Sequence, residues 1–150
     1  MPDNIVISPE IARRFILGKQ GLWPGRRWQG KAGTDAAMRA VEHLQLDPLT
    51  VVARSQDLTL HSRVADYTPG LWETLAYEER RYFDWGGWLA VRPMNELPYW
   101  RRLMQRERDT PGWRQQLKLH GPAIVDMLPL LRERGTVPNR YFERKDRTRH

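Results

Sequence analysis

Between Arg81 and Arg92 the chain reads Arg-Tyr-Phe-Asp-Trp-Gly-Gly-Trp-Leu-Ala-Val-Arg, an aromatic stretch interrupted by the Gly86-Gly87 pair. Two runs of β-favouring residues around a Gly-Gly dipeptide predict a hairpin, because glycine accepts the positive φ that short hairpin turns require. What precedes this ribbon has helical spacing. Ser8-Pro9-Glu10 supplies a capping hydroxyl, a proline at the first helical position and an early acid, which predicts a helix from Pro9 to about Lys19 with Ile11, Phe15 and Ile16 as its apolar stripe. Residues Gly21 to Gly33 hold four glycines, a proline, two tryptophans and three basic residues, and read as a long loop. Thr34 is expected to cap a second helix through about Leu44, with Ala37, Val41 and Leu44 inward. A third helix fits Pro48 to about Val64, where Leu49, Val52, Ala53, Leu60 and Val64 recur at helical intervals.

A short helix near Leu71 to Tyr77 leads into the ribbon. Three helices followed by a two-stranded ribbon is the order of a winged helix-turn-helix, so the expected fold is mainly α with a small β-ribbon. Beyond it, a helix is predicted over Met94 to Arg108, a break at Thr110-Pro111-Gly112, another helix over Pro122 to Arg134, a turn from Gly135 to Pro138 and a charged end from Glu143 to His150. The first domain is therefore expected over 1–112, and 113–150 as the incomplete beginning of a second winged helix. No internal repeat is visible.

The net charge of +7 is carried almost entirely by arginine, whose fork suits phosphate, so a nucleic acid or another polyanion is the expected partner, the alternative being a basic but inert surface. Without cysteine there is no disulfide or thiolate chemistry. The four histidines (His43, His61, His120 and His150) have no metal-ligand spacing, so neither metal nor cofactor is expected. No apolar run approaches membrane-spanning length and Met1 to Ile7 does not resemble a signal peptide, which predicts a cytoplasmic, membrane-free monomer.

Chemistry concentrates in His43-Leu44-Gln45-Leu46-Asp47-Pro48. Proline at 48 disfavours a helical backbone at Asp47, so Gln45 to Asp47 should be extended, with the Gln45 amide and the Asp47 carboxylate on one face and Leu46 turned inward. The alternative for Asp47 is a helix N-cap, since Asp-Pro is an ordinary helix start. For Gln45 it is a surface amide.

The run Leu44-Gln45-Leu46-Asp47-Pro48-Leu49-Thr50-Val51-Val52-Ala53-Arg54-Ser55, with Leu58, Leu60, Ser62-Arg63, Tyr67, Tyr77-Glu78-Glu79-Arg80-Arg81 and Phe83-Asp84, resembles the YcaQ/AlkX/AlkZ family of winged-helix DNA glycosylases. That family excises N7-alkylated purines and unhooks interstrand crosslinks, and its signature is Gln, an apolar residue, then Gln or Asp. The resemblance implies that Asp47 is the catalytic carboxylate and that Gln45 positions water or sugar. It also implies a longer protein of three winged-helix modules, of which this chain would be an N-terminal fragment. Two departures leave the substrate open: Trp85-Gly86-Gly87-Trp88 stands where a Trp-Ala-His type sequence is common, and His61 where tryptophan is frequent.

Alkylation at N7 makes a purine cationic and a good leaving group, so one carboxylate suffices to stabilise the oxocarbenium-like sugar and orient water. No lysine lies near Asp47 in sequence to act as an amine nucleophile, which predicts a hydrolytic, monofunctional reaction leaving an abasic site. DNA contacts are expected from Arg26, Arg27 and Lys31 in the loop, beside Trp23 and Trp28. Arg54 and Arg63 on the third helix complete the set, although Asp57 and Glu42 are also within reach of Arg54. Two alternatives remain at this point: a winged-helix DNA-binding protein without catalysis, and an inactive truncated homologue.

Overall fold

A computed structural model describes residues 5–85 and 88–137; the Gly86-Gly87 pair and the charged end from Glu143 lie outside the described residues. The chain divides into two compact units, residues 1–100 and 101–150. The fold is mainly helical with a small antiparallel sheet, in the manner of a winged helix.

Helix α1 spans Pro9–Lys19, as the Ser8-Pro9-Glu10 signal predicts, and the Ser8 hydroxyl accepts from the Ile11 N–H at 3.3 Å. Its expected inner stripe is not buried: Ile11, Phe15 and Ile16 are all more than half exposed.

The stretch read as loop is partly ordered. Strand β1 (Trp28–Gln29) enters helix α2 (Gly30–Ala40), which starts before Thr34 and ends before Leu44. Thr34 is no cap; it is fully buried, and its hydroxyl donates to the Gly30 carbonyl at 2.9 Å. Trp28 packs on this first turn of α2, its backbone so close to Gly33 that a Cβ there would stand 2.9 Å from the Trp28 carbonyl carbon.

Strand β2 is Leu44–Gln45, and the helix expected from Pro48 shortens to α3, Ser55–His61. The Asp47 side chain accepts from the Leu49 N–H at 2.9 Å, a turn that diverts the backbone, and Thr50 bridges to Arg54. Leu49, Val51 and Val52 stay largely exposed, so a helix there would have had no apolar face to bury. Strand β3 (Val64–Ala65) pairs in parallel with β1, Trp28 opposite Val64.

Helix α4 (Leu71–Glu73) continues as a π-helical stretch, Thr74–Glu78. The hairpin follows as β4 (Tyr82–Asp84) and β5 (Ala90–Pro93), antiparallel with Phe83 opposite Arg92. Strand β5 also pairs with β2, Leu44 opposite Val91 and Gln45 opposite Ala90, giving the order β2-β5-β4. Helix, strand, two helices and a ribbon that recruits the earlier strand is the winged-helix layout, and it makes α4 rather than α3 the helix before the wing. Met38, Leu44, Leu60, Val64, Leu75 and Val91 are fully buried in the core between α2, α3, the π-helical stretch and the sheet.

A 3₁₀ turn (Met94–Glu96) precedes α5 (Leu97–Arg108), whose Tyr99 and Leu103 are exposed. The expected break after Arg108 is present, but it is also a start: the Thr110 hydroxyl caps, Pro111 takes the first position, and α6 runs Pro111–Arg134 through Pro122 and Pro129 instead of beginning at Pro122. Among the described residues no helix is long and apolar enough to cross a membrane.

Candidate active site

Alternation along β2 sets the site. Leu44 is buried against the core, Gln45 opposite Ala90 is exposed, Leu46 packs half-buried on the core, and Asp47 follows half-buried. The extended geometry expected from Pro48 is present. The Leu46 N–H donates to the carbonyl of Leu89, and the Asp47 N–H donates to Gln56 Oε1 at 3.2 Å. Gln56, 5% exposed, is a positioning residue that sequence spacing did not reveal. Leu89 holds its carbonyl in place at φ +45°, a backbone conformation costly for leucine.

Asp47 caps no helix, since α3 begins downstream at Ser55 with Arg54 at its N-cap. One Asp47 oxygen, Oδ1, accepts from Leu49; among the described residues Oδ2 has no hydrogen-bond partner. Asp47 lines a cleft of about 360 Å³ together with Leu46, Pro48, Arg54, Glu73, Tyr77 and Leu89, with Trp72 and Gln56 also in its wall. Gln45 does not line it, so the cleft takes in one member of the expected pair.

Arg54 is fixed from behind. Its Nε donates to Asp57 Oδ2 at 2.8 Å and its terminal nitrogen to Glu73 Oε1 at 2.7 Å, and these two bonds raise its pKa further above the ordinary guanidinium value. Asp57 is 5% exposed and also accepts from the Tyr67 hydroxyl at 2.6 Å and the Gly70 N–H at 3.1 Å. Burial pushes the Asp57 pKa up, but the phenol, the backbone N–H and the guanidinium together outweigh it and hold the carboxyl below its ordinary range. Burial and the same hydrogen bond push the Tyr67 phenol up. Trp72, 2% exposed, backs the cleft, and its indole N–H is buried without a partner among the described residues. Tyr77 meets it edge-on, centroids 5.6 Å apart, and is itself 57% exposed. Glu73 and Tyr77 were missed by sequence reading although both lie on the predicted 71–77 helix, four residues apart on one face.

The basic residues separate into two groups. Arg26 and Arg27 are exposed, Arg26 bonded to His61 Nδ1 at 2.8 Å and Arg27 stacked 4.3 Å over the Trp28 ring; Lys31, also exposed, pairs with Glu79. Arg63 turns inward: it is 8% exposed, and donates to the carbonyls of Gln20 at 2.7 Å and Thr59 at 2.8 Å. Arg54 and Arg63 thus both have intramolecular partners, and neither lies on the helix before the wing.

The family model for AlkZ-like DNA glycosylases matches residues 38–149. No solved structure matches the chain. The matched span takes in β2, Asp47 and the residues of the cleft around it, the wing and the sequence beyond, and so a chain of helices, wing and carboxylate-bearing cleft belongs to the AlkZ-like DNA glycosylase family.

Proposed function

We propose that this protein hydrolyses the N-glycosidic bond of N7-alkylated purines in double-stranded DNA, with Asp47 as the catalytic carboxylate. The observation that carries the reading is the half-buried Asp47 carboxylate in a cleft, one oxygen tied to Leu49 and the other left to meet a sugar or a water. An anion there stabilises the cationic sugar that forms as the charged base departs, and it takes a proton from the attacking water. Gln45, exposed one residue before Leu46, acts from outside the cleft by orienting sugar or water. No lysine is among the residues lining the cleft, which supports a monofunctional reaction ending at an abasic site. A lesion too bulky to be extruded, such as an interstrand crosslink, needs a reacting centre near the surface, and the exposed Pro48 and Tyr77 at the cleft support that extension. Arg26 and Arg27, before α2, and Lys31, in its first turn, supply phosphate contacts.

The test is Asp47→Asn. Excision of N7-methylguanine from a duplex, read as alkali-labile abasic sites, is expected to fall by at least about 100-fold. Affinity for the same duplex should stay constant or rise slightly, because the change removes a negative charge from a surface that meets phosphate. Excision within a few-fold of wild type would remove Asp47 from the chemistry.

A further inference from the structure

The cleft runs against the charge of the molecule that contains it. In a chain of net charge +7, the cleft is lined by two carboxylates, Asp47 and Glu73, against one guanidinium, that of Arg54. Arg54 is already engaged by Glu73 and by the buried Asp57. A site built only to grip the DNA backbone would carry the opposite balance. Beside these acids stands Tyr77, more than half exposed and meeting Trp72 edge-on rather than stacked, with an interplanar angle of 64°. Trp72 is too deeply buried to meet a ligand and serves as backing. Tyr77 is carried by the π-helical stretch Thr74–Glu78, a rare backbone form frequent at functional sites. An aromatic face in a cleft where Glu73 shares Arg54 with Asp57, and where Asp47 has no cationic partner among the described residues, is the arrangement that attracts a flat cation.

We propose that Tyr77 is a specificity-determining residue that selects the positive charge of the damaged base, stacking an N7-alkylated purine in preference to its neutral parent. The inference rests on the Asp47 cleft being where the base is released. It adds to that reading a residue that discriminates lesion from undamaged purine before any bond breaks. Burial, together with the carboxylates of Asp84 and Glu73, raises the pKa of the Tyr77 phenol, so the ring remains a neutral one at physiological pH.

The experiment separates binding from cleavage. One duplex carries N7-methylguanine on a 2′-fluoro sugar, which keeps the positive charge and resists hydrolysis; its partner carries guanine on the same sugar. Wild type should bind the charged duplex more tightly. Tyr77→Leu should reduce that preference by about threefold to tenfold, while Tyr77→Phe, which keeps the ring, retains it. An unchanged thermal midpoint in both variants, expected of an exposed side chain, excludes unfolding as the cause. A wild-type preference that survives Tyr77→Leu, or a wild type with no preference, overturns the proposal even where Asp47→Asn abolishes excision. The converse, a preference lost in Tyr77→Leu with excision unaffected by Asp47→Asn, upholds the aromatic site and removes the catalytic reading of Asp47.

Discussion

The carboxylate of Asp57 accepts from Tyr67, Gly70 and Arg54, and Arg54 reaches on to Glu73, so one buried charge fixes the back of the cleft. Asp57→Ala is expected to cost about 2–4 kcal/mol, since it leaves the buried phenol, the Gly70 N–H and one nitrogen of Arg54 without an acceptor while Glu73 still pairs with the guanidinium; chemical denaturation measures it. The same carboxyl has a folded pKa below its unfolded value near 4, so its contribution is complete above about pH 4 and is lost as pH falls through the lower folded value. The thermal midpoint of wild type should therefore drop on acidification below pH 4, and that of Asp57→Asn should drop less over the same window. A parallel pair of curves would show that Asp57 is not the group responsible. The sequence places Arg54 within reach of Asp57, a local relation three residues apart on one helix. The links to Tyr67, Gly70 and Glu73 join separate segments and have no counterpart in spacing.

Among the elements, α1 was legible to the residue because its start signal is local: a capping serine, a proline and an acid in succession. The start of α2 was not, because Thr34 looks as good a cap as any, and only the fold shows it buried, its hydroxyl bonded back to Gly30, with Trp28 packed on Gly33. Two glycines test this distinction. Gly18, in α1, has open space where a Cβ would stand, so Gly18→Ala should stabilise by about 0.5–1 kcal/mol through helix propensity alone. Gly33→Ala gains the same propensity but drives a methyl to 2.9 Å from a backbone atom that cannot yield, and overpacking of this kind costs about 1–3 kcal/mol. Thermal melts should move in opposite directions for the two variants. If Gly33→Ala melts higher than wild type, the contact with Trp28 is looser than described. The segment at 48–54, and the helix start that accompanies the break at 110–112, were missed for a related reason. Asp-Pro and Thr-Pro-Gly each serve a helix start, a turn or a break equally well, and only the side-chain bond from Asp47 to Leu49 in one case and the Thr110 cap in the other decides.

For the whole molecule, an arginine-rich surface predicts association with duplex DNA that is largely indifferent to sequence and falls steeply as salt rises, through release of counterions from the phosphates. Replacing Arg26 and Arg27 together by alanine should weaken binding and flatten the salt slope. Stability should change by less than about 1 kcal/mol, since both side chains are exposed. Fluorescence anisotropy across a salt series reads the first effect and a thermal melt the second; unchanged affinity would place the DNA path elsewhere. Of the cleft, the extended backbone at Asp47 was legible from proline at 48, but Asp47 itself was singled out by the family resemblance, since spacing alone left a helix N-cap open. Gln56, Glu73 and Tyr77 were not legible, because they are brought to it by α3, α4 and the π-helical stretch across the fold. The ladder that joins β2 to β5 also governs how such a protein tolerates variation in length. Extra residues in the wing between Asp84 and Trp88, clear of the paired stretches and of Leu89, leave the carboxylate where it is. A single residue inserted within Ala90–Pro93 shifts the pairing by one, so that Val91 turns away from the core it shares with Leu44, and the ladder that steadies the backbone leading into Asp47 is disturbed.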